Sequence, residues 1–124
     1  MPPLRIDAST TFVVSTALAT RDFQDVHHDR DAAVARGSQD IFLNILTDTG
    51  LVQRFVSEWA GPEAIIRSVK IRLGVPCYAG DTLTFTGRVL ARDGAEVEVA
   101  VSATGKLGEH VTGTVALTLP AGAS

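Results

Sequence analysis

Cysteine occurs once in this chain of 124 residues, at Cys77, so no internal disulfide can form, and no CxxC pair or His/Cys cluster has the spacing of a metal site. That usage fits a reducing compartment, and a cytoplasmic location is the expectation. A basic surplus is also missing: 11 Lys and Arg against 14 Asp and Glu leave a formal net charge of -3, which argues against nucleic acid and anionic membrane surfaces as partners. No apolar run approaches the roughly 18 residues that a membrane-spanning helix needs. The first residues, with Pro2, Pro3 and a single Arg5, lack the apolar centre of a signal peptide. Repeats, low-complexity tracts and charge blocks are lacking as well, so residues 1–124 read as one domain, with 1–9 and 120–124 as loose ends.

What is present is a globular composition, 45% apolar and 20% charged. A chain of this size can bury roughly two-thirds of the surface its unfolded form exposes, enough for one core. Its second half alternates apolar and polar residues at a period of two, the mark of half-buried strands. Leu83, Phe85, Val89 and Ala91 oppose Thr82, Thr84, Thr86, Arg88 and Arg92; beyond the Asp93-Gly94 turn, Val97, Val99, Val101 and Ala103 oppose Glu96, Glu98, Ala100 and Ser102. After a turn at 105–108, Val111, Val115, Leu117 and Leu119 oppose His110, Thr112, Thr114, Ala116 and Thr118. Upstream, 65–75 forms a strand with Val69, Ile71 and Leu73 on one face, and 11–18 is expected to be a fifth strand. One apolar face per strand implies an antiparallel sheet covered on a single side.

The cover is expected over 40–60, where Ile41, Phe42, Ile45, Leu46, Leu51, Val52, Phe55, Val56 and Trp59 recur at helical spacing until Gly61-Pro62 stops the helix. One long helix against an antiparallel sheet is an α+β arrangement. The pattern alone leaves a hot dog, in which the sheet wraps the helix, and a generic sandwich both open.

Candidate chemistry is concentrated between the first strand and that helix, in Arg21-Asp22-Phe23-Gln24-Asp25-Val26-His27-His28-Asp29-Arg30-Asp31. A carboxylate and an imidazole this close can converge on one water, one side chain activating it while the other moves a proton. Imidazole suits the task because it titrates near neutrality. Taken alone, however, such a loop is ordinarily a solvated turn with helix caps, and Asp25, Asp29, Asp31 and His28 read that way.

The run Asp22-Phe23-Gln24-Asp25-Val26-His27 resembles the signature of the MaoC-like (R)-specific enoyl-CoA hydratases, Asp-x-Asn-Pro-aliphatic-His, with Gln24-Asp25 standing where Asn-Pro is customary. Val75-Pro76-Cys77-Tyr78-Ala79-Gly80-Asp81-Thr82-Leu83 resembles the strand-turn-strand phrase of the same fold. Residues 17–28 and 40–54 are similar to the small MaoC-like subunits of actinobacterial steroid side-chain enoyl-CoA hydratases. The resemblance implies a hot-dog fold of about five strands around one central helix. It also implies Asp22 and His27 as the catalytic pair, and a larger partner that carries a second MaoC-like domain and a DUF35 domain. The implied substrate is an acyl-CoA with a steroid acyl group; coenzyme A belongs to that substrate, and no separate cofactor or metal is implied.

In the implied reaction, water held by Asp22 and His27 attacks C3 of a 2-enoyl thioester while negative charge builds on the thioester oxygen. The start of the buried helix, around Asp40, Ile41 and Phe42, is the expected source of backbone donors for that oxygen, although the His-Gly pair many relatives carry here is absent. Asn44, polar among apolar neighbours, either lines the pocket or satisfies backbone groups. Gly37 and Ser38 are expected to cap the helix. Lys70, Arg72, Arg88 and Arg92 read as solvated strand charges, and Cys77 and Trp59 as packing residues. Two other functions stay open: a dehydratase subunit for carrier-bound fatty acyl chains, and a non-catalytic hot-dog module that binds acyl thioesters or scaffolds a partner.

Overall fold

The computed structural model describes residues 1–120. The chain runs β1 (Leu4–Ala8), α1 (Thr10–Ala19), a 3-10 turn (Asp25–His27), α2 (Arg30–Ala35), α3 (Ile45–Ala60), β2 (Ile65–Leu73), β3 (Asp81–Asp93), β4 (Glu96–Gly105) and β5 (Gly108–Thr118). The five strands form one antiparallel sheet in the order β1-β3-β4-β5-β2. Alternation in β3, β4 and β5 sends Leu83, Phe85, Val97, Val99, Val101, Ala103, Val115 and Leu117 to one side, where Val52, Phe55 and Val56 of α3 meet them. The Phe55 and Phe85 rings lie 6.1 Å apart at the centre of this layer. The sheet wraps α3, as expected of an α+β hot dog. Among the described residues no helix is long and apolar enough to cross a membrane.

Four expectations are corrected. Residues 11–18 are not a strand: α1 is a helix, capped by Ser9, whose hydroxyl accepts from the Phe12 amide at 3.1 Å. Ser15, Thr16 and Thr20 turn their hydroxyls back onto the carbonyls of Thr11, Phe12 and Thr16. These bonds let hydroxyl-bearing residues sit in a helix that their propensity disfavours. Val13 and Ala17, four positions apart, form the buried stripe. The sheet's fifth strand is instead Leu4–Ala8, inside a segment expected to be loose, and its pairing with Asp81–Phe85 of β3 satisfies its backbone on one side. Of the other loose end, residues 121–124 lie outside the described residues.

The long helix begins at Ile45 and not at Asp40, because the residues before it are already committed as extended backbone. Leu43 donates to the Cys77 carbonyl at 3.1 Å, Ala79 donates to the Ile41 carbonyl at 3.0 Å, and Phe42 bridges Tyr78. Asn44 is therefore the N-cap residue. Gly61, at φ +92°, caps the other end. Gly37 and Ser38 close α2 and do not open α3: their amides return to the carbonyls of Val34 and Ala33.

Candidate active site

The C-terminus of α1 sets the position of Asp22. The amides of Arg21 and Asp22 fold back onto the carbonyls of Leu18 and Ala17, at 3.0 and 2.9 Å, which closes a Schellman motif. The left-handed position of that motif, at φ +58°, is Arg21, the one non-glycine residue with positive φ among those described. This reversal turns the chain out of α1 and leaves Asp22 partly exposed at its end. The Gln24 amide points at one Asp22 oxygen, at 3.3 Å.

The 3-10 turn then delivers His27. Its amide bonds the Gln24 carbonyl at 3.1 Å, so the turn forms with Gln24-Asp25 in place of Asn-Pro. The His27 ring is buried; Nδ1 lies 2.7 Å from the Phe42 carbonyl and Nε2 lies 3.4 Å from Asp22 Oδ2. A carbonyl can only accept, so Nδ1 carries the proton and donates it to Phe42. The lone pair of neutral His27 is thereby left on Nε2, on the side of Asp22. The Phe42 ring stands edge-on to the imidazole, with the ring centres 4.9 Å apart. An imidazole oriented in this way by a third group, with its free nitrogen toward a carboxylate, is an arrangement that can carry acid-base chemistry.

The remaining polar residues of the loop are occupied elsewhere. Asp25 pairs with Arg36 at 2.9 Å, Asp29 caps α2 through the Ala32 amide, and His28 is exposed. Asp40 accepts from Arg30 at 2.6 Å and from the Ile41 amide. The Phe42 amide donates to the Val26 carbonyl. Asp40, Ile41 and Phe42 thus have their polar groups engaged in loop contacts and are not on the helix. The first amides of α3 itself, from Ile45, face no preceding helical carbonyl, and Asn44 places no side-chain cap on them. Buried Asn44 instead donates to the Thr20 hydroxyl at 2.8 Å and accepts from Thr47, so it ties the end of α1 to the start of α3. Next to this tie, Phe12, Thr16, Ala19, Leu46, Gly50 and Leu51 line a mainly apolar groove of about 250 Å³ between the two helices.

Sequence reasoning passed over a second carboxylate-imidazole pair. Asp48, in the first turn of α3, and His110, in β5, meet with Nε2 2.9 Å from each carboxylate oxygen, both side chains buried. One signal was available: Asp48 falls on the same helical face as Leu51, Val52 and Phe55, where an acidic residue needs a buried partner.

No protein-family model matches the chain. The 3-oxo-4,17-pregnadiene-20-carboxyl-CoA hydratase beta subunit of Mycobacterium tuberculosis (strain ATCC 25618 / H37Rv) is 61% identical over 119 residues, 96% of this chain and 92% of that protein. The crystal structure of the ChsH1-ChsH2 complex from Mycobacterium tuberculosis contains a chain that superposes with a TM-score of 0.95 at 61% identity, over 97% of this chain and 94% of that one. The (R)-hydratase from A. caviae involved in PHA biosynthesis superposes with a TM-score of 0.86 at 20% identity, over 96% and 93% of the two chains, a likeness of fold. The chain belongs to the family of the 3-oxo-4,17-pregnadiene-20-carboxyl-CoA hydratase beta subunit, and its fold is the hot dog.

Proposed function

We propose that this chain is the catalytic subunit of a heteromeric enoyl-CoA hydratase that adds water to the 2-enoyl thioester of a shortened steroid side chain, with Asp22 and His27 as its acid-base pair. The observation that carries the assignment is the fixed imidazole: Nδ1 is held by the Phe42 carbonyl at 2.7 Å, and Nε2 faces Asp22 at 3.4 Å. One water can bridge the two. As its oxygen bonds to C3, the water loses a proton to the pair, the thioester oxygen gains negative charge, and a proton passes from the pair to C2. The pair ends with as many protons as it began.

Amides in the first turn of α3, close to the site through the Asn44-Thr20 bond, are suited to stabilise that oxygen, because a helix N-terminus favours negative charge. The apolar groove between α1 and α3 is suited to a bulky hydrocarbon. A second subunit fits the assignment, since the relative with 61% identity was solved as a complex of two proteins. The cytoplasm, where acyl-CoA thioesters are metabolised, is the location that fits.

The test is hydration by the assembled complex of a steroid enoyl-CoA and of straight-chain enoyl-CoAs. Loss of steroid turnover in Asp22→Asn and His27→Ala is expected, since acid-base groups contribute roughly 10²- to 10⁴-fold. Turnover of the straight chains alone would overturn the substrate assignment, and full activity in both variants would overturn the catalytic one.

A further inference from the structure

The Asp48-His110 pair joins the core to the site through an unbroken set of contacts. His110 sits at a β-bulge: along β5 the pairing with β4 jumps from Val111↔Ala103 to Glu109↔Thr104, so His110 is the extra residue. The bulge turns its ring inward on the same side as Val111, although alternation would send it to solvent. Once inside, the imidazole uses both nitrogens. Nε2 faces Asp48, and Nδ1 donates to the Val75 carbonyl at 2.7 Å. Two more bonds clamp the same strap to the bulge, from the Gly74 amide to the His110 carbonyl at 2.7 Å and from the Val75 amide to the Glu109 carbonyl at 3.0 Å.

The strap of residues 74–79 is the platform for the segment that orients His27. The Cys77 carbonyl accepts from Leu43, Ala79 donates to Ile41, and Tyr78 bridges Phe42. Phe42 supplies the carbonyl that fixes the His27 tautomer. A carboxylate with no solvent exposure, sunk in the first turn of a helix, is costly unless something requires it there. A pair that clamps helix, bulge and strap together meets that requirement.

We infer that Asp48 and His110 are positioning residues for hydration, a buried clamp that holds the Val75–Ala79 strap so that the Phe42 carbonyl keeps the proton of His27 on Nδ1. The inference rests on the reading of Asp22 and His27 as the acid-base pair. The clamp acts by geometry, so a neutral replacement that preserves the link preserves the function. Asp48→Asn does this, because its amide donates to Nε2 of a neutral His110 while Nδ1 still donates to Val75. His110→Gln keeps a donor for Asp48 but breaks the link to Val75.

The experiment measures kcat and KM of the assembled complex together with the ¹⁵N spectrum of the His27 ring, assigned by its disappearance in His27→Ala. His110→Gln is expected to lower kcat roughly 10- to 100-fold, as small misplacements of catalytic groups do, with little change in KM and with both tautomers of His27 populated. Asp48→Asn is expected to match the unsubstituted protein in both readouts. The apolar double variant Asp48→Val/His110→Leu removes the buried charges altogether and is expected to fold, yet to behave like His110→Gln. The inference is overturned if His110→Gln or the double variant keeps normal kcat and a single Nδ1-protonated His27, or if Asp48→Asn loses as much as they do. The tautomer readout stands even if Asp22→Asn and His27→Ala turn out to leave hydration intact, which would overturn only the acid-base reading.

Discussion

Nε2 of His27 faces Asp22 Oδ2 at 3.4 Å, while His28, the next residue, points to solvent. Two adjacent histidines are thereby given opposite fates by one 3-10 turn. His27→Asn is expected to cost turnover of the order of 10²- to 10⁴-fold, whereas His28→Ala and Asp25→Asn leave it unchanged. Enoyl-CoA consumption measured in parallel for the three variants checks the contrast; a His28→Ala enzyme as damaged as His27→Asn would show that the turn has been assigned the wrong ring.

Arg21 occupies a left-handed position, at φ +58°, immediately before the candidate catalytic carboxylate. A side chain there costs about 1 kcal/mol that glycine avoids. Glycine's greater freedom in the unfolded chain cancels part of the gain. Arg21→Gly is therefore expected to leave the unfolding midpoint in urea unchanged or slightly raised, and Arg21→Val, whose β-branched side chain fits this backbone worse than arginine's, to lower it. A large loss in Arg21→Gly would show that the arginine side chain itself holds the motif.

Burial pushes the His110 imidazole toward its neutral form, but the hydrogen bond and charge of Asp48 and the Val75 carbonyl outweigh it, and the pKa is raised above the ordinary 6.5. The folded protein therefore holds a proton that the unfolded chain releases near 6.5. This contribution to stability is complete below that pH and declines as pH rises from there through the folded-state pKa. Thermal unfolding followed from pH 6 upward is expected to show a falling midpoint in the unsubstituted protein, with a shallower fall in His110→Gln. The same midpoint at every pH would refute the linkage.

The buried thiol of Cys77 is pushed up to about 12, chiefly by desolvation and further by the carboxylates of Asp81 and Asp48. Since the thiolate is the reactive form, a thiol reagent at neutral pH is expected to leave Cys77 unmodified in the folded protein and to titrate one thiol after denaturation. Rapid labelling of the native chain would show that the strap opens.

The fold was most legible where one rule acted alone. In β4 the period of two maps directly onto the buried side chains, and Gly94 and Gly61 mark the turn and helix end that the sequence suggests; in β3 it holds for Leu83 and Phe85 but not for Val89 and Ala91, which are exposed where the register with β4 shifts. It was least legible where tertiary bonds overrode local preference. The threonines and serines of α1 imitate a strand until their hydroxyls are seen bonded to the preceding turn, and Ile41 and Phe42 continue a helical stripe that the strap pulls into extended form. The candidate site divides in the same way. Asp22 and His27 were found through a motif confined to one loop. Asp48 and His110 stand 62 residues apart and meet only because of a bulge that no local pattern announces.

That bulge makes β5 two short strands of opposite phase, spliced at His110. Removing one residue anywhere between the splice and the Gly105–Gly108 turn would restore regular pairing and leave the strand more ideal as a strand. It would also swing the imidazole to the outer face and abandon Asp48 in the core. For this chain the length of one hairpin arm is thus a chemical specification. A protein with the same composition and a neater sheet would be expected to keep the shape and lose the orientation of its histidine.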